Sequence, residues 1–444
     1  MELFIVELSR YLILILFSLY TFYSFRVFLS RDKTKQDHIF SKQRVLTLCL
    51  ILVLNGLLIL EHKSKEYVFA LVLQIVFYVF FTYLYQFCYK ERLSKLVLNH
   101  MMMCLAIGFM MLLRLDKDLF TRQILMATGA MVIAAFVPIL IAKMTFLEKL
   151  AWPYALAGIA FLLLVFVIGV EKYGSRNWIA LGPVRIQPSE FVKILFVFFI
   201  AAMLQAGTKW KHLVLTTCLA GVHVLILVAE KDLGAALIYF ITYVMMLYVA
   251  TNRLYYLVGG FAGGAGAALI AYRLFSHVKT RVTAWRDPWN HIDKEGYQIC
   301  QSLFAIGTGG WIGMGFGQGL PESVPVVSSD FIFAGISEEL GGIFVICLAL
   351  IYISSFIMFV NIAMKINRPF YQLVAFGLSI EFIFQVFLCI GGVIKFIPST
   401  GVTLPFISYG GSSVVATIII FSIIQGFYII HGDREENRNE EEIQ

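Results

Sequence analysis

One carboxylate, Asp330, closes the longest polar interval of this sequence, residues 276–330, and stands directly before an apolar run. The interval is rich in glycine, tryptophan and charge, which predicts a loop with irregular backbone. Such long loops are uncommon in compact proteins unless they serve a function. A carboxylate within hydrogen-bond reach of a hydroxyl can remove its proton while a new bond forms. Asp330 is therefore the predicted reacting group. Arg281, Arg286 and Lys294 of the same interval could hold an anionic group, which an arginine does with a planar fork.

Glu190 and Lys193 form a second candidate pair. Pro188 suits the first turn of a helix, where its missing N–H is harmless. Glu190 and Lys193 then lie three residues apart on one face of that helix. The simpler alternative is an acid at a helix start with a locally paired lysine. Because ionisable groups inside membrane segments are costly and usually functional, the sequence favours a pair that lines a cavity.

Two further polar segments contain candidate residues. Lys231 and Asp232 belong to a tight turn, EKDLG, whose mixed charges are by themselves typical of a solvated corner. Glycine and proline interrupt segment 394–413. At membrane depth, non-helical backbone is tolerated only where it is buried in protein or lines a water-filled cavity. Its last residues could donate hydrogen bonds to a phosphate from hydroxyls and backbone N–H groups. These residues are Ser408, Tyr409, Gly410, Gly411 and Ser412.

Membrane-spanning helices must position these groups. The chain has 444 residues, 60% of them hydrophobic and 14% charged, and is far more apolar than a soluble domain. Apolar runs near the ~20 residues that a spanning helix needs predict about thirteen spans, so the predicted fold class is an all-α polytopic membrane protein. The runs cover residues 4–27, 45–61, 67–89, 96–113, 123–142, 151–170, 188–205, 213–229, 233–250, 254–274, 331–360, 371–392 and 412–430.

Lysine and arginine in the short connections predict the orientation. They recur at every second connection, which the positive-inside rule assigns to the cytoplasm. The predicted outer loop 114–122, with Arg114, Lys117 and Arg122, departs from this pattern. The intervals 171–187, 276–330 and 393–411 then face outside, with the N-terminus outside and the acidic C-terminus inside. The net charge of +7 is spread over short loops and fits topology control better than nucleic-acid binding. The candidate chemistry therefore concentrates on the outer face.

Six motifs in fixed order resemble the SEDS family (shape, elongation, division and sporulation), the RodA/FtsW/SpoVE group. The motifs are GSRNWI-x-LG…QPSEF-x-K, KDLG, R-V-x-x-W…GYQ-x-x-QS, GxGG…GMG-x-G, SDFIFA-x-x-x-EELG and P-x-x-G-x-x-LP-x-ISYGGSS. The resemblance implies a ten-helix core with a long extracellular loop, preceded by about three additional N-terminal transmembrane helices. The chain then divides into the extra helices (1–94), a SEDS-like polymerase core (95–430) and an acidic cytoplasmic tail (431–444).

The resemblance also implies a function. Such proteins are peptidoglycan glycosyltransferases that polymerise lipid II into β-1,4 glycan strands on the outer face of the bacterial cytoplasmic membrane. Their partner is a class B penicillin-binding protein, a transpeptidase that cross-links the strands. Asp330 matches the family's essential acid, and Glu190, Lys193 and Arg281 match its substrate-binding residues. Thr400 stands where the family commonly has a lysine, a departure that bears on how pyrophosphate is held.

The sequence leaves the cofactor and two other functions open. Positive charge must stabilise a pyrophosphate leaving group, and Arg281, Lys193 and Mg²⁺ or another divalent cation could supply it. No organic cofactor is indicated. One alternative is a non-catalytic scaffold of a cell-wall synthase complex. The other is a lipid II flippase with an intramembrane relay. That relay would consist of Glu190, Lys193, Glu381 and His223.

Residues 1–89 lie outside the family motifs. Their spans are rich in phenylalanine, tyrosine and leucine, which suits packing against lipid or a partner. We therefore expect them to be a docking or stabilising appendage without a share in catalysis.

Overall fold

Helices account for most of the chain, because a backbone inside lipid must satisfy its polar groups internally. The computed structural model describes residues 2–30, 32–144, 146–172, 175–182 and 184–443. Tyr173, Gly174 and Pro183 of the predicted outer interval 171–187, and Gln444 of the tail, lie outside the described residues. The helices are α1 (Glu2–Leu29), α2 (Lys33–His62), α3 (Lys65–Tyr89), α4 (Lys95–Leu115), α5 (Lys117–Ala134), α6 (Val137–Lys143), α7 (Ala151–Ile168), α8 (Pro188–Ala206), α9 (Trp210–Ala229), α10 (Leu233–Thr251), α11 (Leu254–Leu274), α12 (Ser276–Arg286), α13 (Tyr297–Gly309), α14 (Ile332–Lys365), α15 (Pro369–Val393) and α16 (Gly411–Ile443).

The predicted all-α membrane class is confirmed. Among the described residues, 13 helical stretches have the length and hydropathy of membrane spans. Every predicted apolar run overlaps one of them. The helix that begins furthest ahead of its predicted run is α2, which starts at Lys33 although the run starts at residue 45. The carboxylate of Asp32 caps this helix by accepting from the N–H of Thr34 at 2.9 Å. The basic residues between the first two predicted runs therefore lie on α2 itself, namely Lys33, Lys35, Lys42 and Arg44.

Two spans are interrupted where the sequence predicted continuous runs. Run 123–142 divides into α5 and α6 just before Pro138. In a continuous helix the proline ring would clash with the carbonyl four residues earlier, and its missing N–H would remove a hydrogen bond. Run 331–360 is broken at Gly341, which has φ of 86° inside α14. A Cβ at Gly341 would meet the backbone of Gly313, so only glycine permits this close approach.

The polar intervals contain more regular structure than expected. Within the predicted loop 276–330, α12, α13 and two short 3₁₀ turns (Trp289–His291 and Pro321–Ser323) form. The glycines at 310, 313, 315 and 317 have positive φ, which is the irregular backbone that the sequence predicted. Interval 171–187 contributes to a small antiparallel sheet in the order β1-β2-β3. Its strands are β1 (Gly169–Lys172), β2 (Ser175–Leu181) and β3 (Val184–Ile186), with Ile179 paired to Gly169 and to Ile186.

The described helices group into two compact units. The first unit comprises the chain up to Met131, Arg281–Met358 and Val386–Gly410. Its central element is α4, whose apolar stretch is entirely buried, and α2 and α3 pack against it. Buried polar contacts also join the N-terminal helices to α4. Asn99 donates to the side-chain oxygen of Gln43 at 3.0 Å, and the Tyr20 hydroxyl lies 3.1 Å from Nδ1 of His100.

The second unit comprises Val132–Thr280, Phe359–Gln385 and the chain from Gly411. Helix α8 packs against α7, α9, α10 and α16, and most of its side chains are buried. The Tyr239 hydroxyl of α10 donates to the Ser189 carbonyl at 2.8 Å. Strand β2 also packs against α8, which places the small sheet beside the polar first turn of that helix.

Candidate functional site

Asp330 occupies a turn in the first unit, two residues before α14 begins at Ile332. It therefore lies at a loop–helix junction, as its place directly before an apolar run predicts. The residue is half-buried, and its carbonyl accepts a weak contact from the Cys389 thiol at 3.7 Å. A partly enclosed carboxylate that remains reachable has the environment that a general base requires.

A guanidinium converges with this carboxylate beside Gly401. Gly401 has φ of +75°, and a Cβ placed on it would lie 3.4 Å from Oδ2 of Asp330 and 3.8 Å from Nη2 of Arg281. Nη1 of Arg281 donates to the Ser399 carbonyl at 3.4 Å. Segment 394–410 therefore brings a negative and a positive group to one point, although Arg281 and Asp330 lie near opposite ends of the polar interval 276–330.

Ser408 and Tyr409 hold the backbone just before Asp330. The Ser408 hydroxyl donates to the Ser329 carbonyl at 2.5 Å, and the Tyr409 N–H donates to the Ser328 carbonyl at 2.7 Å. Two of the donors predicted to contact phosphate, the Ser408 hydroxyl and the Tyr409 N–H, thus donate to protein backbone. Through these bonds the two residues position the turn that carries Asp330.

Gln123 forms hydrogen bonds to the backbone of Ser408 and Gly410. Its side-chain amide donates to the Ser408 carbonyl at 2.9 Å, and its oxygen accepts from the Gly410 N–H at 3.3 Å. Gln123 is fully buried on α5. The predicted candidate Gly410 is therefore held through its own N–H, and Gly411 begins α16.

Glu190 and Lys193 form the predicted pair, in the second unit. Nζ of Lys193 lies 2.7 Å from Oε2 of Glu190 and 2.8 Å from the side-chain oxygen of Gln385. Gln385 donates onward to the Ser413 hydroxyl at 3.3 Å. Glu381, one turn before Gln385 on α15, is also buried. An ionisable network of this kind inside a span is usually functional.

Asp232 is a structured acceptor in the second unit, where the sequence alone favoured a solvated corner. Its Oδ2 accepts from the side-chain amides of Asn177 and Gln187, each at 2.9 Å, and from the Ser189 hydroxyl at 3.4 Å. Its Oδ1 caps α10 by accepting from the Ala235 N–H at 3.1 Å. Asp232 thereby joins the small sheet, the start of α8 and the start of α10.

The remaining predicted residues differ in exposure. Lys231 has a backbone φ of 63°. Its side chain is exposed, so its ammonium group is available to an anion. Ser412 is buried, and its hydroxyl accepts from the Gln187 N–H at 3.0 Å. Ser412 therefore contacts the residue that precedes α8, and Gln187 links it to Asp232.

Glu230, beside Asp232, provides a pH-dependence test. The carboxyl is buried, and burial together with the neighbouring Asp232 raises the pKa of Glu230 from 4.5 to about 8. The native protein then keeps a proton that the unfolded chain releases, so stability should fall as the pH rises from about 4.5 to 8. We expect Glu230→Gln to flatten this fall and to unfold at a higher temperature than wild type above pH 8. The measurement is the thermal unfolding temperature in detergent as a function of pH. If that temperature changed with pH equally in wild type and in Glu230→Gln, the raised pKa of Glu230 would be contradicted.

Sequence reasoning missed several residues that complete these contacts. Gln123 and Gln385 are polar side chains inside apolar helices, and that pattern was the available signal. Asn177 and Gln187 lie within the motifs already quoted, but nothing local indicated that one carboxylate accepts from both. Gly401 is one of the glycines that the sequence predicted only to interrupt the backbone of segment 394–413.

Fold and site together define a multi-pass membrane protein with polar, ionisable clusters at the starts of helices. Residues 94–428 match the FtsW/RodA/SpoVE family, described as cell cycle proteins. The chain belongs to this family.

Curated relatives and solved structures agree with that assignment. The chain is 38% identical over 311 residues to the peptidoglycan glycosyltransferase RodA of Mycobacterium tuberculosis, covering 66% of this chain and 66% of that protein, slightly less than two thirds of its length. It is 34% identical over 327 residues to the stage V sporulation protein E of Bacillus subtilis, covering 70% and 87%. A chain from a peptidoglycan synthase complex that coordinates polymerization and crosslinking matches with a TM-score of 0.64 and 26% identity, covering 76% of this chain and 97% of that one. The rod shape determining protein RodA of Thermus thermophilus matches with a TM-score of 0.59 and 25% identity, covering 78% and 98%.

Proposed function

We propose that the protein is a peptidoglycan glycosyltransferase that polymerises lipid II into β-1,4 glycan strands at the outer face of the bacterial cytoplasmic membrane. The observation that carries the proposal is the convergence of the Asp330 carboxylate and the Arg281 guanidinium beside Gly401. Family membership and relatives named for this activity support the same reaction class.

Asp330 is proposed as the general base. The acceptor is the 4-hydroxyl of a GlcNAc residue, which is a poor nucleophile until its proton is removed. Asp330 accepts that proton as the oxygen bonds to the anomeric carbon of the donor sugar, while the bond from that carbon to the lipid pyrophosphate breaks. The displacement inverts an α-linked donor to a β-linkage, so a single base suffices. Ser408 and Tyr409 hold the preceding peptide groups and so fix the base.

Arg281 is proposed to stabilise the leaving group. Pyrophosphate departs as a stable anion, so positive charge, rather than a strong acid, lowers the barrier. The fork of a guanidinium suits two phosphate oxygens. Lys193 was also expected to supply charge, but its ammonium is already paired with Glu190. We therefore assign the leaving group to Arg281. The other predicted substrate-binding residues remain proposed in that role, namely Glu190, Lys193, Lys231, Asp232, Ser408, Tyr409, Gly410, Gly411 and Ser412.

A divalent cation is compatible with this donor set. Among the described residues, no three His, Cys, Asp or Glu side chains are grouped as metal ligands. Mg²⁺ often binds through one or two carboxylates together with substrate phosphates, so Asp330 could hold it with the pyrophosphate. Such an ion would add charge stabilisation to that of Arg281. We expect EDTA to lower polymer yield and added Mg²⁺ to restore it. If EDTA left the yield unchanged, stabilisation of the pyrophosphate charge would be assigned to Arg281 alone.

The proposed orientation and partners follow from the same function. The N-terminus lies outside and the C-terminus inside, so that Asp330 meets lipid II in the outer leaflet. The proposed protein partner is a class B penicillin-binding protein that cross-links the new strands. The match to a chain of a peptidoglycan synthase complex supports a partnership of this kind.

Polymer formation from purified lipid II in detergent tests the function. Flipping cannot register without a bilayer, and a scaffold has no product, so glycan strands appear only if the protein is a polymerase. The assay uses the purified full chain, with product length read on a gel. A folded protein that forms no strands would contradict the polymerase and leave the flippase and the scaffold as the alternatives. Two residues of the flippase's relay, Glu381 and His223, are buried in the second unit.

A further inference from the structure

A glycine-rich loop, residues 310–319, precedes the turn that carries Asp330. We call it the glycine loop. Four of its glycines have positive φ, namely Gly310, Gly313, Gly315 and Gly317. One side of the loop is bound by α14, since the N–H groups of Met314 and Gly315 donate to the carbonyls of Glu338 and Glu339 at 2.9 and 3.0 Å. The loop therefore follows α14, the helix that begins directly after Asp330.

The other side of the glycine loop is bound by the N-terminal helix α1. Nη2 of Arg10 donates to the Gly313 carbonyl, and Nη1 of the same guanidinium pairs with Glu7 at 2.9 Å. A Cβ on Gly315 would lie 3.4 Å from Val6 and 3.5 Å from Cδ of Arg10, so α1 packs directly on the loop backbone.

Helix α2 contributes a second contact from the N-terminal region. The carboxyl carbon of Glu61 lies 3.3 Å from where a Cβ would stand on Gly317. On the opposite side, the Gly317 N–H donates to the buried Glu339 carboxylate at 3.2 Å. Gly317 therefore lies between a side chain of α2 and a side chain of α14.

The glycine loop also leads by tight packing to the Asp330 turn. Arg114 of α4 bonds to the Gly319 carbonyl at 3.2 Å and pairs with Glu339 at 3.1 Å. A Cβ on Gly335 would lie 3.1 Å from both Pro321 and Val327, so the chain after the loop packs against the first part of α14. A shift of the loop would be passed on to the turn, because close-packed groups move together.

We propose that the N-terminal helices position the Asp330 turn by holding the glycine loop, with Arg10 as the main positioning residue and Glu61 as the second. The inference rests on the proposed function. The family match begins at residue 94, so α1 and α2 are additions to the matched core. Their role here replaces the expectation that residues 1–89 are an appendage without a share in catalysis.

The test compares Arg10→Ala, Arg10→Lys and Glu61→Gln in the full chain. Arg26→Ala is the matched control, since Arg26 is an exposed arginine on the same helix whose guanidinium lies 5.9 Å from the Phe22 ring. One readout is backbone hydrogen exchange in residues 310–319, which needs no activity. The other is the kcat and KM of polymerisation from lipid II.

For Arg10→Ala we expect exchange in the glycine loop to be at least about tenfold faster, the factor that loss of a charged hydrogen bond produces. We expect kcat to fall by about tenfold with little change in KM, because the base is misplaced while binding groups remain. Arg10→Lys should recover part of both effects, Glu61→Gln should show smaller changes of the same kind, and Arg26→Ala should match wild type.

Each outcome decides a separate point. Unchanged loop exchange in Arg10→Ala would overturn the inference whatever the activity. Faster exchange with wild-type kcat would overturn the positioning role. Faster exchange throughout the protein would mean general unfolding, and partial recovery in Arg10→Lys would then be required to sustain the inference. A wild-type protein that makes no polymer would contradict the proposed function, and exchange would still decide whether Arg10 holds the loop.

Discussion

Replacing Asp330 with asparagine should lower the polymerisation rate by about 10²–10⁴-fold, the usual loss when a general base is removed. Asparagine keeps the size of the side chain but cannot accept the acceptor's proton at neutral pH. The hydrogen bonds that hold the preceding peptides come from Ser408 and Tyr409 and do not involve the Asp330 carboxylate. Folding should therefore be close to wild type. The measurement is strand formation from lipid II, normalised to monodisperse protein.

Asp287→Asn is the matched control for this variant. Asp287 is another half-buried acid of the same polar interval, and its carboxylate accepts from the Asn290 amide at 2.6 Å. Its replacement should leave the polymerisation rate near wild type. If Asp330→Asn retained more than about a tenth of wild-type yield, the loss would be too small for a general base, and another group would have to accept the proton.

Local features of the fold were predictable because they depend on neighbouring residues. The apolar runs required helices, and Pro188 with the spacing of Glu190 and Lys193 led correctly to an ion pair on the first turns of α8. The break at Pro138 follows from the same local chemistry and could have been foreseen. Helices α12 and α13 were missed because a polar, glycine-rich interval lacks the long apolar run on which spans are recognised.

Contacts between distant segments were beyond the sequence. Lys193 and Gln385 are 192 residues apart, and no local pattern links them. The approach of Arg281 to Asp330 likewise depends on the backbone at Gly401, whose positive φ is not encoded by its neighbours alone. The candidate residues could be named from motifs, whereas their partners required the packed structure.

The Lys193–Glu190 pair should produce the second large effect. Lys193 is 4% exposed and Glu190 14% exposed at the side chain, so either charge left alone stays mostly out of water. Breaking a buried pair from one side typically costs about 3–5 kcal/mol, because the remaining charge loses its compensation. We expect Lys193→Met to be destabilised on that scale. Glu190→Gln should lose less, because the Gln385 oxygen still accepts from Lys193 at 2.8 Å.

The double variant Lys193→Met/Glu190→Gln decides whether the two charges act as a unit. The double variant removes both charges, so no unpaired charge stays buried. Its loss of unfolding free energy should therefore be smaller than the sum of the two single losses by about 1–3 kcal/mol, which is within the range for residues in direct contact. Chemical unfolding in detergent measures the four proteins of the cycle, and polymerisation assays on the same samples report their activity. Lys209→Met, at an exposed lysine before α9, is the control for loss of a lysine charge. Strict additivity would show that Lys193 and Glu190 act separately despite their 2.7 Å contact, and Lys193 would then be available to a substrate anion.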